Sequence, residues 1–231
     1  AFAGLLGRLH FTALSLAINH AFDFGKDGYE QTKSNLRAAG VSPFGSPQNS
    51  DNLSARILTQ GKTICLVGYH DLFNPDPKST LLEIKSMKES CSYIVLYAHW
   101  GVEYAGTPSE RQKMLAHEFV DAGADLVVGT HPHVVEPLEI YRNKAIFYSL
   151  GNFIFDQDMS FDTEHGLAVH VEWNEARTRF TLVPVSIERG EVSIASPADR
   201  KRVISALVGA GLPADASSDI IKKQEFTLLG Q

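Results

Sequence analysis

From residue 11 to about 130, short apolar runs alternate with amphipathic stretches. That alternation is the mark of βαβ units around a largely parallel sheet. The apolar runs are FTALSLA (11–17), TICLVG (63–68), YIVLYA (93–98) and DLVVG (125–129). Each is almost free of polar residues, as strands covered on both faces are. Helices are predicted between them. One starts near Asp27, where Asp27 and Glu30 have the spacing of a capping box, turns Tyr29, Thr32 and Leu36 to one side and stops at Gly40. A second covers Ser79 to Glu89. A third is opened by Ser109 and Gln112, lined by Leu115, Phe119 and Ala122, and closed by Gly123.

Past residue 134 the pattern changes to EIYRNKAIFYSLGNF, GLAVHVEW and FTLVPVSIE, with no helical period between them, so antiparallel pairing is expected. In the second run Leu167, Val169, Val171 and Trp173 alternate with Ala168, His170 and Glu172, predicting one buried and one wet face. Residues 42–60, polar and bearing Pro and Gly, read as a loop. A last helix, ADRKRVISALV, opens a C-terminal helical appendage over 196–231, with the main domain over 1–195.

The composition narrows the possibilities. With 44% hydrophobic and 21% charged residues in 231, the chain is an ordinary globular one, and no apolar stretch reaches the roughly 18 residues of a membrane span. A formal charge of -6 and the lack of any Lys/Arg run argue against nucleic acid as a partner. An anionic substrate would then need a metal. Cys65 and Cys91 both lie in apolar strand-like runs and read as buried free thiols.

The candidate chemistry lies at the strand ends. FTALSLAI runs into Asn19-His20, YIVLYA into His99, and DLVVG into Thr130-His131-Pro132-His133. In an open α/β sheet that edge gathers the ligand-binding loops. Imidazoles plus an amide oxygen suit Zn, Mn or Fe and suit Ca or Mg poorly. His131 and His133, two apart in a loop, can each reach one of two neighbouring ions, the arrangement that clamps a phosphate in many phosphatases. His20, beside a ligand, is placed to steady developing charge or protonate a leaving oxygen. His70 also follows a strand, with Asp71 beside it, and is a rival candidate for the site, although a turn residue is the simpler reading. GKT at 61–63 is no phosphate loop, because Arg56 stands where its first Gly would be.

Four segments, LSLAINHAFDFG (14–25), YAHWGVEY (97–104), GADLVVGTHPHVVEP (123–137) and FYSLGNFIFD (147–156), resemble in order the bacterial capsule-synthesis CapA family of the calcineurin-like metallophosphoesterase superfamily. The resemblance implies an αββα sandwich of two mixed sheets, lacking its N-terminal strands here. It implies that Asn19, His99 and His131 share one metal, that His133 serves the other, and that His20 is the charge-stabilising catalytic residue. Glu103 is either an acceptor orienting His99 or a solvated loop carboxylate, Asp23 is similar and more structural, and Asn152 belongs to a family motif that a simple turn explains equally. The superfamily's acidic ligands come before the Asn-His motif, where this chain has no acidic residue. The local donors are therefore expected to be neutral and to hold one ion weakly, the intact protein holding two of Mn, Fe or Zn.

By the same resemblance, the expected role is phosphoester hydrolysis in assembly of poly-gamma-glutamate capsule or another cell-envelope polymer, on the extracytoplasmic face. A phosphoester or anionic polymer would be the substrate, and a capsule synthase membrane complex a partner. The competing expectation is a non-catalytic envelope protein that uses the fold to bind polymer or that complex.

Overall fold

The computed structural model describes residues 2–51, 53–72, 76–209 and 212–230. The chain divides into two compact units, Ala1–Trp100 with Leu115–Val127, and Gly101–Met114 with Val128–Gln231.

In the first unit α1 (Phe2–Arg8), which the hydrophobic pattern does not foretell, precedes β1 (Ala13–Ser15) and a 3-10 turn over Asn19–Phe22. The strand expected over 11–17 is only three residues long, and it pairs in parallel with β2 (Ser42–Phe44) in a small separate sheet. Between them runs α2 (Gly25–Ala38), whose N-cap is Phe24 with no side-chain cap bond. The predicted Asp27–Glu30 capping box does not form, because the chain enters the helix before Asp27; that carboxylate instead sits in the first turn, where the helix dipole favours it. Tyr29, Lys33 and Leu36 face inward, and Leu6, Leu16 and Val41 complete this small core.

The 42–60 loop is a second correction. It contains β2 and also β3 (Ser54–Thr59), which forms a hairpin with β4 (Lys62–His70). Gln60 and Gly61 both have positive φ, 49° and 76°, the left-handed pair that a tight two-residue hairpin requires. Its polar composition reflects an edge strand that leaves Arg56 and Leu58 exposed. After α3 (Lys78–Met87), β5 (Tyr93–His99) pairs in parallel with β4, in a register that runs from Ile64↔Tyr93 to His70↔His99. Cys91, in the turn that enters β5, has its Cα 5.9 Å from that of Cys65 in β4, and the two form a disulfide. The reading of free thiols is thereby overturned: each Cys looks like a core residue alone, and only the fold brings the two together.

α4 (Glu110–Ala122) and β6 (Leu126–Thr130) each straddle the division in sequence. The predicted capping box of α4 forms, with the Ser109 amide donating to Gln112 Oε1 at 2.9 Å and the Gln112 amide to Ser109 Oγ at 3.2 Å.

In the second unit β7 (Leu138–Tyr141) and β8 (Lys144–Phe147) form a hairpin turned by Arg142 and Asn143, with φ of 47° and 58°. β9 (His165–Asn174) and β10 (Arg177–Glu188) pair antiparallel as expected. The outer half of β9 alternates, His170 and Glu172 exposed between half-buried Val169, Val171 and Trp173. β11 (Glu191–Ile194) and, beyond α5 (Pro197–Leu207) and α6 (Ala214–Lys223), β12 (Glu225–Leu229) also pair with β10. Stacked Phe180 and Phe226 rings, 4.5 Å apart, pack with Phe147 at the centre. The protein is thus α/β with sheets of mixed strand direction. Among the described residues no helix is long and apolar enough to cross a membrane.

Candidate functional site

Asn19 opens the 3-10 turn after the buried Leu16-Ala17 segment. Its approach is set by glycine: Gly45, at φ 75°, lies so close that a Cβ would meet Ala17 Cβ at 2.7 Å and Gly68 Cα at 3.2 Å. His99 ends β5, and its Nε2 donates to Asn19 Oδ1 at 3.0 Å. Two donors about 2.1 Å from one ion and at right angles to it lie about 3 Å apart, so once Nε2 gives up its proton this pair suits adjacent positions on a shared metal. His20 is exposed and its Nδ1 donates to Asp23 Oδ2 at 2.9 Å, so Asp23 orients that ring.

His70 lies in the next strand, its ring 5.7 Å from that of His99. It is a buried strand residue and not a turn residue. Its Nδ1 donates to Pro47 O at 2.8 Å, its backbone is clasped by Asn49, and burial pushes its pKa down, so it stays neutral.

The second unit holds the other donors. His131 and His133 have φ of 97° and 62°, conformations that cost a non-glycine residue about 1–3 kcal/mol and gather at functional sites. Between them Pro132 O accepts from the Tyr104 amide at 2.8 Å, which ties the two loops together. One donor atom each from Glu103, His131 and His133 lie within 4.8 Å of one another. Two imidazoles and a carboxylate form a standard set for Zn, Mn or Fe, and only a small side-chain adjustment separates this spacing from bonding distance. The structure therefore changes the expectation of neutral donors by adding an anionic one.

His133 Nδ1 donates to Asn152 Oδ1 at 2.8 Å. The amide orientation follows from the partners of Asn152 Nδ2, which donates to Thr163 O at 3.0 Å and to Gln157 Oε1 at 3.1 Å. With Nδ1 protonated, Nε2 of His133 presents a lone pair. Gln157 Nε2 in turn donates to Tyr104 Oη at 3.1 Å, and the rings of Tyr104 and Phe155 flank that of His133 at 6.0 and 5.2 Å. Asn152 is placed by glycine: a Cβ on Gly166 would fall 1.8 Å from the Asn152 carbonyl oxygen.

Glu136 was not singled out in the sequence, although it lies in the quoted THPHVVEP stretch. It is fully buried, accepts from Gln112 Nε2 at 2.9 Å, and has no hydrogen-bond partner for Oε1 among the described residues. Burial raises its carboxyl to about 7, against the opposing effect of the Gln112 bond. The only local signal was its place three residues after His133.

The model of the family described as bacterial capsule synthesis protein PGA_cap matches residues 1–157. The chain is 33% identical over 215 residues to a PGA biosynthesis protein CapA of Bacillus subtilis, covering 86% of this chain and 55% of that one. It is 31% identical over 218 residues to a capsule biosynthesis protein CapA of Bacillus anthracis, covering 85% and 53%. The chain thus spans about half the length of these relatives. In fold it resembles a putative 5'-nucleotidase from Staphylococcus aureus, solved with alpha-ketoglutarate, at a TM-score of 0.54 and 16% identity, over 88% of this chain and 43% of that one.

Proposed function

Because the chain belongs to the bacterial capsule synthesis PGA_cap family, we propose that it is a metal-dependent phosphoester hydrolase of capsule or cell-envelope polymer assembly. The observation that carries this reading is the grouping of Glu103, His131 and His133, with the His133 ring held by Asn152 so that Nε2 is available. In the first unit Asn19 and His99 are metal ligands, and in the second His131 and His133 are, with Glu103 as the anionic donor; Mn, Fe or Zn are the ions such donors select. Divalent ions so held supply Lewis-acid polarisation of a phosphate and an activated water.

The chain's own residues do the rest. His20, oriented by Asp23, protonates the leaving oxygen or steadies its charge. Tyr104 and Phe155 flank the His133 ring and limit how it can turn. The polymer is poly-gamma-glutamate, in keeping with relatives named for PGA biosynthesis, and a membrane-bound synthase complex is the partner. The Cys65–Cys91 disulfide favours an oxidising compartment and so the extracytoplasmic face.

The test is metal analysis after dialysis against Mn or Zn, with p-nitrophenyl phosphate turnover measured in parallel. The parent should retain metal and a His131→Ala/His133→Ala variant should lose it. Equal metal content in the two would sink the reading. Metal uptake without turnover would leave the metal centre standing and favour the polymer-binding alternative.

A further inference from the structure

Beside the His133 loop the second unit carries a cleft of about 180 Å³ that opens to the surface. Val134, Val135, Val203 and Ala206 give it an apolar lining, and Arg202, His165 and Asp162 supply its polar groups. Tyr104, whose ring stacks on His133, is also part of its wall. The guanidinium of Arg202 lies 3.6 Å over the centre of the Phe161 ring. That ring is stacked on His165 at 3.8 Å, and His165 Nδ1 donates to Phe161 O at 2.6 Å. The arginine is thus the outer layer of a braced three-layer stack. Stacking occupies its face and leaves its N–H edge available, and among the described residues it makes no ion pair.

An arginine held this way has already lost much of the side-chain freedom that binding would otherwise remove. Its planar fork matches a carboxylate or a phosphate. The rest of the lining decides between them. A dianionic phosphate at the fork also meets Asp162, whereas a carboxylate with half the charge meets half the repulsion, and the valine lining favours a hydrocarbon stem. We propose that this cleft is a specificity pocket for a carboxylate on a short aliphatic stem, gripped by Arg202. Resting on the hydrolase reading, it would hold the part of the substrate next to the group that reacts at His131 and His133.

The test is direct binding to the metal-free chain, followed by NMR titration with pentanoate, pentanamide, pentylamine and inorganic phosphate. Pentanoate should bind best and shift resonances of Val134, Val135 and Ala206. Arg202→Gln should weaken it at least about tenfold and Arg202→Lys less, because the lysine keeps the charge and loses the fork. Equal affinity for the parent and Arg202→Gln overturns the proposal, as does pentanamide binding as well as pentanoate. Phosphate binding more tightly than pentanoate overturns the choice of carboxylate. Pentanoate binding in a chain without metal or turnover would sink only the hydrolase reading, and turnover without pentanoate binding only the pocket.

Discussion

The Nδ1–H of His133 is held by Oδ1 of Asn152, 2.8 Å away and 19 residues along the chain. Asn152 is itself locked by Thr163 O and Gln157, so it can only accept. Partners that fix the tautomer of a metal-binding histidine typically change affinity by about 10–100-fold. Asn152→Ala should therefore weaken Zn or Mn binding by that factor while the fold persists. Calorimetric titration with metal checks it, and unchanged affinity would show that His133 is not a ligand.

Gly166 lets the Asn152 carbonyl come so near that any side chain collides with backbone. Gly166→Ala should lower the melting temperature and weaken metal binding together, since the displaced backbone carries the partner of His133. Loss of stability with metal affinity intact would disconnect the two.

The carboxyl of Glu136, raised by burial to about 7, sets a pH dependence. Folding favours its protonated form, so the folded protein binds a proton that the unfolded chain releases above its ordinary carboxylate range. Its stabilising effect is full below about pH 4.5, declines as pH rises and is gone above about 7, a change of about 3 kcal/mol. Glu136→Gln, which keeps the shape without the charge, should flatten urea-unfolding stability between pH 4.5 and 7 and raise it at pH 8. An unaltered pH profile in the variant would assign the dependence elsewhere.

The Cys65–Cys91 bridge closes a loop with a separation of 26 residues. On the chain-entropy account it contributes about 3–4 kcal/mol. Cys65→Ser/Cys91→Ser should lower the urea-unfolding free energy by that amount, and a reducing agent should destabilise the parent and leave the variant unaffected.

His20 is exposed and bonded to Asp23, apart from the Asn19–His99 pair. In an active preparation His20→Ala should cut turnover by roughly 10² with metal content unchanged, whereas His131→Ala should lose both. If His20→Ala also empties the protein of metal, the division of roles between Asn19 and His20 is wrong.

The sequence by itself determined the strand ends that present His99, His131 and His133, because an apolar run broken abruptly by polar residues is a local pattern, whereas the run before Asn19 forms only a three-residue strand. The Ser109–Gln112 box was legible for the same reason, its two bonds spanning a single helical turn. Only the tertiary structure decided which polar groups meet. Glu103 joins His131 and His133 through left-handed backbone at the two histidines, conformations no hydrophobic period encodes. Cys65 finds Cys91 where the turn into β5 passes β4, and Glu136 becomes a raised acid because the fold buries its carboxyl. The loop at 42–60 hid two strands because edge strands can be polar, and their hydrogen bonds depend on neighbours that the local sequence does not name.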